Sequence, residues 1–76
     1  MRRQRVKSSV IAALEYDSET NVLEVEFRTG RLYRYFLIPP KVYEALLHAQ
    51  SIGEYFNREI RDRYRCVEVM DGSRSR

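Results

Sequence analysis

The stretch Leu23-Glu-Val-Glu-Phe27-Arg-Thr-Gly30-Arg-Leu-Tyr33-Arg-Tyr35 holds two alternating segments joined at one glycine, and it constrains the fold more than any other part of the chain. Alternation at a period of two puts successive side chains on opposite faces of a strand. A two-residue turn would force Thr29 to positive φ, which a β-branched residue resists, whereas Gly30 adopts that conformation freely. The residues therefore predict a three-residue loop, Arg28-Thr29-Gly30, with a bulge at the glycine. In that register Phe27 faces Arg31, Val25 faces Tyr33 and Leu23 faces Tyr35. Leu23, Val25, Phe27, Tyr33, Tyr35 and Leu37 then share an inward face. The other face pairs Glu24 with Arg34 and Val22 with Phe36, and opposite charges meeting across the strands support the register.

Before the hairpin, Ser8 to Tyr16 reads as a first strand with Leu14 and Tyr16 inward, and the polar run from Asp17 to Val22 reads as the turn that follows it. Ile11 is out of phase with Leu14, which predicts a bulge near Ala12 or Ala13. After the hairpin, Pro39-Pro40 ends the ladder because neither residue can donate a backbone N–H, and Pro40 suits the first turn of a helix. That helix is expected from about Pro40 to Ala49, with Val42, Ala45, Leu46 and Ala49 as its inward stripe and Tyr43 and Leu47 at the edge. Ser51-Ile-Gly-Glu54 has the spacing of a capping box and opens a second helix, expected to reach Tyr64 and to bury Ile52, Phe56 and Ile60. Cys66 to Met70 alternates like a short edge strand. The predicted fold is α+β: an antiparallel three-stranded β-meander followed by two helices packed on one face, with a short C-terminal edge strand. Residues 1–7 are expected to be a basic flexible arm, 8–70 a single domain and 71–76 a disordered tail.

The net charge of +3 over 76 residues is unevenly placed. Of 14 Lys and Arg, six lie in the ends, namely Arg2, Arg3, Arg5, Lys7, Arg74 and Arg76. The span from Ser8 to Met70 holds the remaining eight against ten of the 11 acidic residues, so the basicity belongs to the tails rather than to the domain. No apolar run has the length needed to span a membrane and no secretory-signal pattern is visible, so a cytoplasmic protein is expected. The lone Cys66 fits a reducing compartment.

Catalytic constellations are lacking in the sequence. Cys66 as a nucleophile would need a base, and His48 is the single histidine. Asp17 and Glu19 sit where turn formers are wanted, and no glycine-rich phosphate loop or metal-spaced cluster is seen. A non-enzymatic module without metal or cofactor is expected.

Several residues recur together in order: Ser8-Ser9, Tyr16-Asp17, Leu23-x-Val25-x-Phe27, Gly30, Tyr33-x-Tyr35, Pro39, Val42-Tyr43-x-x-Leu46 and Ala49-x-Ser51-x-Gly53-x-Tyr55-Phe56-Asn57-x-x-Ile60-Arg61-x-x-Tyr64. With this ordered set the chain resembles the KTSC domain, a family named after the extra carboxy-terminal domain of some lysyl-tRNA synthetases and also found as small free-standing bacterial proteins. The basic arm before Ser8 and the residues after Tyr64 depart from the family pattern. The synthetase context implies RNA as a partner.

Two functional readings follow. In the first, an RNA-binding accessory module uses Arg2, Arg3, Arg5 and Lys7 together with Asn57, Arg58, Arg61 and Arg65, and neutralising about four phosphates of a single strand would give a log–log salt slope near −3. In the second, the module associates with itself or with another protein through Val22, Leu32, Phe36 and Ile38 on the sheet face away from the helices, unless Val67 and Val69 cover them. Each candidate also has a purely structural role available. Tyr33 and Tyr35 can be core rings rather than a stacking pair, Arg61 can brace the fold beside Asn57, and Glu54, Glu59 and Asp62 can pair with Arg58 and Arg63 on a solvated helix face.

Overall fold

The computed structural model describes residues 3–69, so Arg2, Met70 and the predicted tail lie outside the described residues. The chain is α+β. Five strands follow one another across an antiparallel sheet in chain order: β1 (Gln4–Arg5), β2 (Ile11–Asp17), β3 (Val22–Phe27), β4 (Leu32–Tyr35) and β5 (Cys66–Val69). Two helices, α1 (Pro40–Leu47) and α2 (Ile52–Glu59), are inserted between the fourth and fifth strands.

The central hairpin has the register its turn residues dictate. Leu23 pairs with Tyr35, Glu24 with Arg34 and Val25 with Tyr33, while Gly30 takes a φ of 97°. The loop closes through Phe27 N–H to the Arg31 carbonyl and Gly30 N–H to the Phe27 carbonyl, both 2.9 Å. Between β2 and β3 the register shifts between Ile11 and Ala13, and this bulge brings both Ile11 and Leu14 into the core. β2, expected from Ser8, begins at Ile11, because Ser8 Oγ accepts the N–H groups of Val10 and Ile11 at 3.1 Å and holds that segment in a turn.

The meander has five strands, not three, because the sheet recruits chain at both ends. Gln4 and Arg5, in the predicted arm, pair with Leu14 and Ala13. Gln4, itself exposed, donates from Nε2 to the Tyr43 hydroxyl at 3.4 Å, while Arg3 reaches Glu15, Glu24 and Glu26 at 3.3, 3.8 and 3.3 Å. Without this short strand, β2 would present an unpaired edge. At the other end Cys66 pairs with Tyr35 and Val69 with Leu32, which makes the expected edge strand part of the sheet.

A core of Ile11, Leu14, Tyr16, Leu23, Val25, Tyr35, Ile38, Tyr43, Leu46, Ile52, Phe56 and Ile60 joins the sheet to both helices. Three placements differ from the sequence expectation. Leu37 is 75% exposed, and Ile38, expected in the outer patch, is fully buried. The cause is a positive φ of 60° at Leu37, which breaks the alternation just after β4 and is held by Phe36 N–H to the Arg65 carbonyl and Ile38 N–H to the Asn21 carbonyl. On α1, Tyr43 is buried and Ala45 exposed, since the Tyr43 ring stacks on Tyr16 with centroids 4.5 Å apart and covers far more apolar surface than alanine. Helix α2 stops at Glu59 instead of Tyr64: the N–H groups of Ile60 and Arg61 both reach the Phe56 carbonyl, and the chain turns there to deliver Cys66 to β4.

Candidate nucleotide-binding cleft

The two faces of the sheet differ in their balance of charge. On the outer face a shallow hollow of about 280 Å³ is lined by Glu15, Asp17, Thr20, Val22, Glu24, Arg34 and Phe36, three carboxylates against one guanidinium. Arg3 lies on the same side, engaged by Glu15, Glu24 and Glu26. Phosphate would meet net negative charge there.

The opposite side holds a larger cleft of about 740 Å³ between the central hairpin and α2, within the range of small-ligand sites. Its aromatic part is built by both elements. Alternation along β3 and β4 sends Phe27, Tyr33 and Tyr35 to one face, and the helical spacing from the Ser51 cap aims Phe56 at them. Tyr35 and Phe56 are buried, with ring centroids 5.2 Å apart and planes at 88°; Phe27 and Tyr33, edge to face at 5.7 Å, are half-buried. Guanidiniums of Arg28 and Arg31 come from the two sides of the hairpin turn and that of Arg61 from the turn after α2, with Asp62 the one carboxylate among the lining residues and Glu68 on β5 paired with Arg31 at 3.7 Å.

Local bonds fix this rim. Arg28 Nε donates to the Ser8 carbonyl, and the Arg28 N–H to the Val10 carbonyl at 2.9 Å, so the hairpin loop is tied to the segment before β2. Arg61 donates from a terminal nitrogen to Asn57 Oδ1 at 3.3 Å. A guanidinium only donates, so this bond fixes the amide orientation and leaves the Asn57 amino group as a free pair of donors. Burial raises the Tyr35 phenol above its ordinary value of 10.0; the neighbouring Cys66 adds to this and Arg61 opposes it. Tyr35 therefore stays a neutral phenol at physiological pH.

The sequence-derived candidates divide. Asn57 and Arg61 line the cleft. Arg58 does not: it lies over the Tyr55 ring at 5.7 Å and bonds Glu59 at 3.1 Å, which is the solvated-face role. Arg5 sits on β1 opposite Ala13, Lys7 lies beside the helix junction near Gln50, and Arg65 is exposed with its carbonyl bonded by Phe36. Of the proposed outer patch, Val22 and Phe36 line the hollow, Leu32 is only 3% exposed beside its partner Val69, and Ile38 belongs to the core. Among the described residues no three His, Cys, Asp or Glu side chains group to hold a metal ion, and no helix is long and apolar enough to cross a membrane. Sequence reasoning missed Arg28 and Arg31. The signal for them was present, since a cation stands on each side of a turn whose strands carry three inward aromatics.

Comparison with known proteins places this geometry. The KTSC domain family matches residues 7–64, most of the chain and the whole of the cleft apart from Cys66. The chain belongs to the KTSC domain family. A crystal structure of a KTSC domain protein from Yersinia pestis superposes with a TM-score of 0.88 at 30% identity, covering 91% of this chain and 97% of that one. An uncharacterised protein of Stutzerimonas stutzeri is 50% identical over 58 residues, 76% of this chain and 82% of its own. A lysine–tRNA ligase of Nostoc punctiforme is 39% identical over 63 residues, which are 83% of this chain but 11% of the ligase. The KTSC domain thus occurs both in chains of about this size and as a small part of a synthetase.

Proposed function

We propose that this KTSC domain is an accessory module that binds single-stranded RNA through the cleft between the hairpin and α2. The observation that carries the reading is the charge contrast between the two sides of the sheet. Three guanidiniums line the aromatic cleft against Asp62, with Glu68 paired to Arg31 at its edge, whereas three carboxylates line the outer hollow against Arg34, with Arg3 bound to two of them. Aromatic rings within a positively charged groove are the combination that single-stranded nucleic acid requires. The ligase relatives supply a setting in which RNA is at hand.

The reading moves the phosphate contacts from the basic arm and the α2 surface to Arg28, Arg31 and Arg61. With three phosphates neutralised on a single strand, log affinity is expected to fall with log salt at a slope near −2. Fluorescence anisotropy with a labelled single-stranded RNA at several salt concentrations measures it. Arg28→Gln, Arg31→Gln and Arg61→Gln should each reduce the slope by about 0.7, and Arg58→Gln should leave it unchanged. No binding at low salt, or a slope that responds to Arg58 and not to the rim arginines, would overturn the proposal.

A further inference from the structure

The cleft differs from a generic cationic groove in its aromatic wall, built by Phe27, Tyr33, Tyr35 and Phe56, and this sets what it can hold. We infer that it is a socket for one unpaired nucleotide of an RNA strand, the base resting against Tyr33 and Phe27 and its flanking phosphate held by the rim guanidiniums. The inference rests on the RNA reading above and adds to it the unit of recognition.

Four observations carry it. The volume of about 740 Å³ admits a base with its ribose but excludes a duplex, whose stacked pairs cannot enter a space between a strand pair and a helix. Tyr33 and Phe27 are half-buried, so each ring is fixed by the core on one side and available on the other; Tyr35 and Phe56, both buried, hold them in place. Asn57, with its amide oxygen turned to Arg61, points its two N–H donors away from that guanidinium, where a base edge can accept them. Each of the four bases carries an acceptor on its edge that can receive such a bond. Finally, Arg28, Arg31 and Arg61 come from different parts of the chain and outnumber the two nearby carboxylates, Asp62 and the Glu68 that pairs with Arg31, so charge favours a ligand carrying phosphate.

The test uses the full chain and three probes: hexauridylate, a hexamer of abasic ribose phosphates with the same charge, and uridine monophosphate. Binding is read by anisotropy or NMR at one low salt concentration. Hexauridylate is expected to bind at least about tenfold more tightly than the abasic hexamer, the effect of one base on an aromatic ring, and at least tenfold more tightly than the mononucleotide, which lacks the neighbouring phosphates. Tyr33→Leu keeps the apolar volume without a π-face and should erase the preference for bases while leaving the salt slope intact. Asn57→Ala, on an exposed helix position, removes a base contact and the acceptor that holds Arg61, so it should weaken hexauridylate more than the abasic hexamer. Equal binding of the two hexamers overturns the socket and leaves the RNA reading standing. Absence of binding by either hexamer overturns both, and a mononucleotide that binds as tightly as hexauridylate overturns the assignment to an RNA strand.

Discussion

Leu37 shows how one residue redirects a chain. Its φ of 60° is a conformation that side chains with a Cβ rarely adopt, and its side chain, 75% exposed, recovers little by burial. The strain is tolerated because it delivers Ile38 to the core, where the Ile38 carbonyl accepts the Tyr16 hydroxyl at 2.6 Å. Leu37→Asn, which suits that backbone region, is expected to leave stability unchanged or raise it by up to about 1 kcal/mol. Ile38→Ala should cost about 2–5 kcal/mol. Urea midpoints of the two variants check the assignment; the reverse order would restore the uninterrupted alternation. Tyr16→Phe should cost about 1–3 kcal/mol, because it leaves the buried Ile38 carbonyl without its donor. Nothing in the residue types Phe36-Leu37-Ile38 announces a left-handed position. A glycine there would have been legible, as Gly30 was.

At the scale of elements, what the sequence made legible was local chemistry, and what it hid was packing. The capping residue of α2 was visible: Ser51 Oγ accepts the Glu54 N–H at 3.3 Å, and Ser51→Ala should lower stability by about 1 kcal/mol in thermal or urea unfolding. The end of α2 was not, because no glycine or proline marks it and the stop at Glu59 is imposed by the need to bury Ile60 and to bring Cys66 onto β4. The hairpin register and the bulge beside Ala12 were legible from turn chemistry and phase, whereas the rotation of α1 toward Tyr43 depends on a ring, Tyr16, distant in sequence. Gly53 gives an independent check on how α2 is seated. A Cβ there would stand 3.5 Å from Ser8 Oγ and Val10 Cγ2, ordinary contact, so Gly53→Ala should raise stability by about 0.5–1 kcal/mol through helix propensity. A loss would mean that the helix lies closer to the Ser8–Val10 turn than described.

Across the whole molecule, burial of phenols and partition of charge have separate consequences. Tyr16, Tyr35 and Tyr43 all have their ionisation pushed above the ordinary value of 10.0, burial being the largest cause at each. A raised folded value means that the unfolded chain loses its phenolic protons first, so this contribution is fully present below pH 10 and is lost as the pH rises above it. Stability measured from pH 8 to 12 should fall beyond about pH 10, and Tyr35→Phe should flatten that fall. The charge partition separates the two sides of the sheet. It was only half legible: counting showed a nearly balanced domain with basic ends, but not that Arg28, Arg31 and Arg61 would gather around aromatic rings while Arg3 was taken up by Glu15, Glu24 and Glu26. The most direct test of the cleft as the functional face is an NMR titration of the backbone amides with single-stranded RNA at low salt. Shifts are expected to concentrate at Arg28, Arg31, Tyr33, Asn57 and Arg61, with Glu15, Val22 and Glu24 unmoved; shifts confined to β1 and the outer sheet face would contradict a functional cleft.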